Sequence, residues 1–313
     1  MNIVFLGSGA FGLPTLQWLA GAHRLTGIVT QPDRPAGRSR ALTSTPVGEW
    51  AATSAPGVPV VKPESVNTPE VRDAVRAWEA DAWVVIAFGQ KLSPELLEDR
   101  FAINLHASLL PRWRGAAPIN HAILAGDAET GNSVITIAQR MDAGLVLHQS
   151  RMAIDPMVTA GELHDQLAED GPGAIDAVLR GFAAGTMTPI SQDESGVTRA
   201  VKLSRADDRI DFTRSARECR CRVHGLTPWP GITVMMGDQE IKLLRVQDMR
   251  ASTESSGAAP GALIDAPGGV IACGDGTALR VVEVRPAGKR AMRWGEFIRG
   301  RPVESGTVAR SLA

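Results

Sequence analysis

Asp81-Ala82-Trp83-Val84-Val85-Ile86-Ala87-Phe88 is apolar at every position after the first. Side chains of a strand alternate between the two faces of its sheet, so a strand with no polar face must be covered on both. That condition describes an interior strand of a parallel sheet, and it sets the frame for the neighbouring segments. Asn2–Leu6 and Leu25–Thr30 read as strands before it, with Pro14–Ala20 as a helix between them, and Phe101–Leu105 reads as a strand after it. Alternation of strand and helix predicts an α/β fold, a Rossmann-like, mostly parallel sheet with helices on both faces. Pro118 and Gly126 bracket a short helix carrying Ile119 and Ile123 on one face. Gly161–Ala184 reads as a longer helix, interrupted around Gly171-Pro172-Gly173.

Past Ile210 the pattern shifts to short strands at Ile232–Met236, Ile241–Val246, Gly269–Cys273 and Ala278–Val284, separated by turn residues such as Gly274-Asp275-Gly276. This pattern predicts a small β domain, of a kind shared with five-stranded open barrels. The expected division is a catalytic domain over 1–201, a linker over about 185–209 and a second domain over 210–313. The 313 residues carry a net charge of −1, but residues 202–313 hold 18 Lys+Arg against 13 Asp+Glu, leaving 15 and 21 for the rest. A basic module beside an acidic one suits a polyanionic substrate, although ordinary variation in surface charge would look the same. No apolar run is long enough to span a membrane. The start of the chain reads as a first strand, not a secretion signal. Three cysteines (Cys219, Cys221 and Cys273) make neither zinc spacing nor an even disulfide set, and His23, His121, His148, His164 and His224 form no ligand set. No metal is expected, and reduced thiols point to the cytoplasm.

The chemistry concentrates in Ile103-Asn104-Leu105-His106-Ala107-Ser108-Leu109-Leu110-Pro111-Arg112-Trp113-Arg114-Gly115, with Asp142 following 36 positions past His106. Asn104 and His106 are two apart at a strand end, so they share a face. Sites in open α/β sheets form outside the carboxyl ends of strands. Asp142 follows Ser133–Ile137, which alternates like a strand, and Gly144 supplies freedom for a tight turn beside it. An amide to stabilise an oxyanion, an imidazole to move protons and a carboxylate to orient it together suit acyl transfer to an amine. A strand cap and a satisfied histidine would give the same Asn-x-His, and pattern alone leaves the two readings open.

Asn104-x-His106-x-Ser108-Leu109-Leu110-Pro111-Arg112-Trp113-Arg114-Gly115-Ala116-Ala117-Pro118-Ile119 resembles the signature of the methionyl-tRNA formyltransferases, within the wider 10-formyltetrahydrofolate-dependent group. Thr30–Arg38, Ala125–Gly131, Lys202–Ser204, Arg209–Phe212, Thr227–Gly231 and Pro286–Met292 resemble further blocks of that family, so the likeness spans nearly the whole chain. It implies catalysis by Asn104, His106 and Asp142. Many members read Met-Asp-x-Gly-Leu-Asp-Thr-Gly with the second Asp catalytic, but here Val146 occupies that place. Equating Met141–Gly144 with the family's Leu-Asp-Thr-Gly supplies the carboxylate and keeps the His-to-Asp spacing, and that alignment is preferred.

The resemblance further implies 10-formyltetrahydrofolate as formyl donor, contacted by Phe88, Gly89, Gln90, Leu92, Ser108, Leu109 and Pro111. It implies an OB-like second domain and a charged initiator tRNA as acceptor, contacted by Arg34, Arg38, Arg40, Lys202, Lys289, Arg290 and Arg293. A monomer without membrane association is expected. Proline and glycine keep 31–40 out of helices and central strands. Other readings remain: a formyltransferase acting on a sugar or purine-precursor amine, a non-catalytic RNA-binding protein, or an NAD-dependent dehydrogenase. The last draws on Gly7-Ser8-Gly9-Ala10-Phe11-Gly12, which matches G-x-G-x-x-G after a first strand, with Asp33 as the ribose acid. A strand-to-helix turn that needs small residues for packing explains the same glycines.

Overall fold

The computed structural model describes residues 1–37, 40–250 and 257–312. The chain forms two compact units: one of 1–114, 131–152 and 164–199, the other of 115–130, 153–163 and 200–313. The first holds a seven-stranded sheet in the order Val146–Gln149, Ser133–Thr136, Ala102–His106, Ala82–Ile86, Asn2–Gly7, Arg24–Val29, Val60–Val61. Ala82–Ile86 is the middle strand and buried at every position, as its lack of a polar face requires. The pairs joining 102–106, 82–86, 2–7, 24–29 and 60–61 are parallel. Ser133–Thr136 pairs antiparallel with Ala102–His106 and with Val146–Gln149.

One face of this sheet is sealed by a cluster of Val4, Leu6, Trp83, Val85, Phe88, Leu92 and Leu96, with Val75 from the helix Pro69–Arg76. On the other face a Cβ at position 171 would meet Thr15 Oγ1 at 2.7 Å and Leu105 Cδ2 at 2.9 Å. Glycine there lets the helix Ala160–Ala184 lie close against the sheet. That helix runs on through Pro172, so the expected interruption is absent. Proline removes one backbone donor, and burial of Leu167, Ala174, Ile175, Val178 and Leu179 along the helix outweighs the loss.

The second unit carries a seven-stranded antiparallel sheet: Leu263–Asp265, Val270–Ala272, Thr277–Pro286, Gln239–Arg250, Ile232–Met236 and Ala309–Ser311 in order, with Met292–Arg293 beside Thr277–Pro286. Two register shifts at Leu243–Val246 bend the long strand, which suits an open half-barrel. Three of these strands and the helices Ala216–Gly225 and Trp294–Gly300 go beyond the sequence expectation. The first helix had a readable start, since Ser215 and Glu218 form a reciprocal capping box. Cys219, Cys221 and Cys273 are buried free thiols. Among the described residues no helix is long and apolar enough to cross a membrane.

Candidate active site

Parallel strands present their carboxyl ends at the same edge of a sheet. The segments after Gly7, after Ile86 and after His106 therefore leave the sheet together. Asn104 and His106 lie on the side occupied by Val85, since Asn104 pairs in register with Val85 and with Ile135, and His106 with Ser133. Asn104 is half-buried, and its carboxamide has no partner among the described residues. His106 is 7% exposed and Asp142 14%, with His106 Nδ1 3.7 Å from Asp142 Oδ1. The chain thus brings together the imidazole and the carboxylate that lie 36 positions apart.

The other ring nitrogen of His106 lies 2.9 Å from the Trp113 carbonyl oxygen. A carbonyl only accepts, so Nε2 carries a hydrogen and donates it. In the neutral ring the lone pair is then on Nδ1, on the Asp142 side. Trp113 is held in turn by its own N–H, which donates to Thr198 Oγ1 at 2.9 Å. The loop between them hangs on Ser133. Its hydroxyl donates to the Ser108 carbonyl at 2.6 Å and accepts from Leu110 N at 3.0 Å and Gln149 Nε2 at 2.8 Å.

Asp142 has φ 55°, in the left-handed region that an aspartate tolerates better than most residues. The sequence reading put the need for backbone freedom at Gly144. The structure corrects this: Gly144 is required by close approach, since a Cβ there would stand 1.6 Å from the Thr136 carbonyl oxygen. Thr136 Oγ1 accepts from Leu145 N, and Thr136 N donates to Leu145 O, both at 2.9 Å. The carboxylate-bearing turn is thereby fastened to the end of its strand. Gln192 adds a second fastening, its Nε2 donating to the carbonyls of Asp142 and Gly144. No sequence signal marked Gln192, which is 50 positions from Asp142 in a stretch read as linker.

The residues expected to meet folate surround this edge. Phe88 and Leu92 are buried in the core cluster, and Gly89 has φ 83°. Gln90 is engaged at both ends, accepting from Val66 N and donating to the Pro63 carbonyl. Ser108 is fully buried and donates to the Arg112 carbonyl, while Leu109 and Pro111 are half-buried. What this edge offers a ligand is therefore chiefly backbone and apolar surface.

The described residues among those expected to contact tRNA are divided between the two units. Arg34 lies in a small antiparallel hairpin, Arg34–Ala36 with Ala41–Thr43, and pairs with Glu64. Arg40 is exposed at φ 52°, and Arg38 lies outside the described residues. Lys202, Lys289, Arg290 and Arg293 are exposed in the second unit, Arg290 pairing with Glu296 at 3.4 Å.

The glycine-rich turn gains no support as a dinucleotide site. A Cβ on Gly7 would meet the Phe5 ring at 2.5 Å and the Ile86 carbonyl oxygen at 2.8 Å, so the glycine serves packing. Asp33 is bonded to Lys62 at 2.7 Å, and that bond lowers its pKa below the usual carboxylate value. Among the described residues no three His, Cys, Asp or Glu side chains are grouped to hold a metal ion.

Two family models match the chain: formyl transferase over residues 1–179, and formyl transferase C-terminal domain over 202–302. The chain belongs to the formyl transferase family. A methionyl-tRNA formyltransferase of Methylobacterium sp. (strain 4-46) is 41% identical to it, covering 98% of both chains. One from Methylococcus capsulatus is 42% identical over 95% of this chain and 96% of its own. Among solved structures, the sugar 3N-formyl transferase WlaRD, crystallised with dTDP and 5-N-formyl-THF, aligns with a TM-score of 0.69 at 14% identity. The match covers 93% of this chain and 99% of that one. At that identity the likeness is one of fold: a Rossmann-like formyltransferase domain followed by a β domain.

Proposed function

We propose that this chain transfers the formyl group of 10-formyltetrahydrofolate to the α-amino group of initiator methionyl-tRNA. The names of its full-length relatives support this reading, and the His106–Asp142 approach beside Asn104 carries the chemistry. The amine nitrogen attacks the formyl carbon, a C–N bond forms, and the carbonyl oxygen becomes an oxyanion. Asn104, whose amide has no other protein partner among the described residues, donates to that oxyanion. The amine's proton passes to His106 Nδ1, the nitrogen left free to accept by the Nε2–Trp113 bond. Asp142 orients the ring and balances the charge it takes on. Breaking the bond from the formyl carbon to N10 of the folate returns that proton to N10. The products are N-formylmethionyl-tRNA and tetrahydrofolate.

In this reading residues 1–201 form the catalytic part, 185–209 the linker and 210–313 the tRNA-binding part, and the protein works as a cytoplasmic monomer. The folate is held by the backbone of Phe88–Leu92 and of Ser108–Pro111. The cations at 34, 38, 40, 202, 289, 290 and 293 meet phosphate, and surface pairs such as Arg34–Glu64 are weak enough to yield to it. The test is transfer of a labelled formyl group to charged initiator tRNA, with His106→Ala as control. Transfer by the native chain that the control loses is the expected result. No transfer to methionyl-tRNA, with transfer to a sugar amine instead, would overturn the assignment of acceptor.

A further inference from the structure

Gln192 falls between the two segments matched by the family models, yet its side chain reaches the proposed carboxylate turn. Its Nε2 donates to the Asp142 and Gly144 carbonyls, both at 2.8 Å. Its Oε1 accepts from Arg114 Nε at 3.0 Å and Nη2 at 2.8 Å. Arginine only donates and carbonyls only accept, so the partners dictate which way this amide points. Arg114 is 4% exposed and also donates to Glu194 Oε1 at 2.9 Å. Glu194 Oε2 accepts in turn from Arg140, which begins the same turn, at 2.7 Å. One amide therefore bridges two carbonyls on either side of Ala143 and holds residue 142 in its left-handed conformation.

We infer that Gln192 is a positioning residue for formyl transfer, with Arg114 as its buried anchor and Asp142 as the group it places. The inference rests on Asp142 being the catalytic carboxylate. No other natural side chain of this length offers a donor to the turn and an acceptor to Arg114 at once. Gln192→Glu keeps the shape and the Arg114 pairing, but it removes both donated bonds and turns an anionic oxygen toward two carbonyl oxygens.

Three variants decide the matter: Gln192→Glu, Asp142→Ala and the double variant, assayed by single-turnover formylation with enzyme in excess and by thermal unfolding. Gln192→Glu is expected to lower the rate at saturating substrates by about 10- to 100-fold, since small misplacements of reacting groups have costs of this size. KM for both substrates should stay within about twofold; the lost bonds should lower Tm, so the rates are compared at a temperature where thermal unfolding shows every variant folded. In the Asp142→Ala background the same change should cost less than about threefold, because the residue it acts through is gone. Gln192→Met, of similar length and without donors, supplies the same comparison should the glutamate variant fold poorly. Normal turnover by Asp142→Ala would sink the catalytic reading beneath the inference. An impaired Asp142→Ala beside an unimpaired Gln192→Glu would overturn the inference alone, as would a Gln192→Glu penalty that multiplies in full in the double variant.

Discussion

Replacing Gly144 with alanine displaces the proposed carboxylate without touching it chemically. The added Cβ would lie 1.6 Å from the Thr136 carbonyl oxygen, whereas ordinary contact begins at 3.4 Å, so the turn must retreat by about 1.8 Å. Thr136 is poorly placed to yield. It pairs in register with Ile103 of the neighbouring strand, and its N–H is bonded to the Leu145 carbonyl. The displacement falls on the turn, and Asp142 is two residues away on it. Starting 3.7 Å from His106 Nδ1, the carboxylate loses contact if it moves by more than about 1 Å. A misplacement of about 1 Å can cost about 10²-fold in rate. Gly144→Ala should therefore lower kcat about 100-fold and leave folate affinity within about twofold. Overpacking should also cost about 1–3 kcal/mol of stability. Single-turnover formylation, folate titration and thermal unfolding, run below the variant's Tm, measure the three quantities. A variant with lowered Tm and more than half the native kcat would show that the placement of Asp142 does not govern turnover.

Asn104→Ala should lower kcat by about 10²–10³ with Tm unchanged, the usual consequence of removing one oxyanion donor; native turnover would remove Asn104 from the mechanism. Ser133→Ala leaves the buried Leu110 N–H without its acceptor and should cost about 2 kcal/mol in denaturant unfolding. His224, fully buried between the Pro156 carbonyl and Val246 N–H, has its pKa lowered from 6.5 to about 4, chiefly by burial. The unfolded chain takes up this proton first, so the stabilisation is complete above pH 6.5 and drains away as pH falls toward 4. It amounts to about 3 kcal/mol, and denaturant unfolding of His224→Gln from pH 7 to pH 4 should lack that loss. Neutralising Lys202, Lys289, Arg290 and Arg293 together should flatten the salt dependence of tRNA affinity by about 0.7 log units per log unit of salt for each lost phosphate contact; an unchanged slope would place the tRNA elsewhere.

The sheet was legible because burial on both faces leaves no room for polar residues. Asp81–Phe88 could be placed in the middle of a parallel sheet from composition alone, and it stands fourth of seven strands. Asn104 and His106 were readable for the related reason that strand alternation is local. The added strands at Leu263–Asp265 and Ala309–Ser311 were not legible, because three-residue strands owe their pairing to partners far along the chain. The helix Ala160–Ala184 defeated a local rule as well: Gly171-Pro172-Gly173 reads as a break until the surface it packs against is known.

By itself the sequence determined the alternation of strands and helices, the shared face of Asn104 and His106, and the family, since each rests on residue order over short spans. Tertiary structure alone decided that Asp142 comes within 3.7 Å of His106, that Nε2 is spent on Trp113, and that Gly144 answers to Thr136. It also enlisted Gln192 and Arg114 behind the carboxylate. Those contacts join residues 7 to 78 positions apart, and no periodicity along a chain encodes the distance between atoms that meet only when separate strands and loops are packed together.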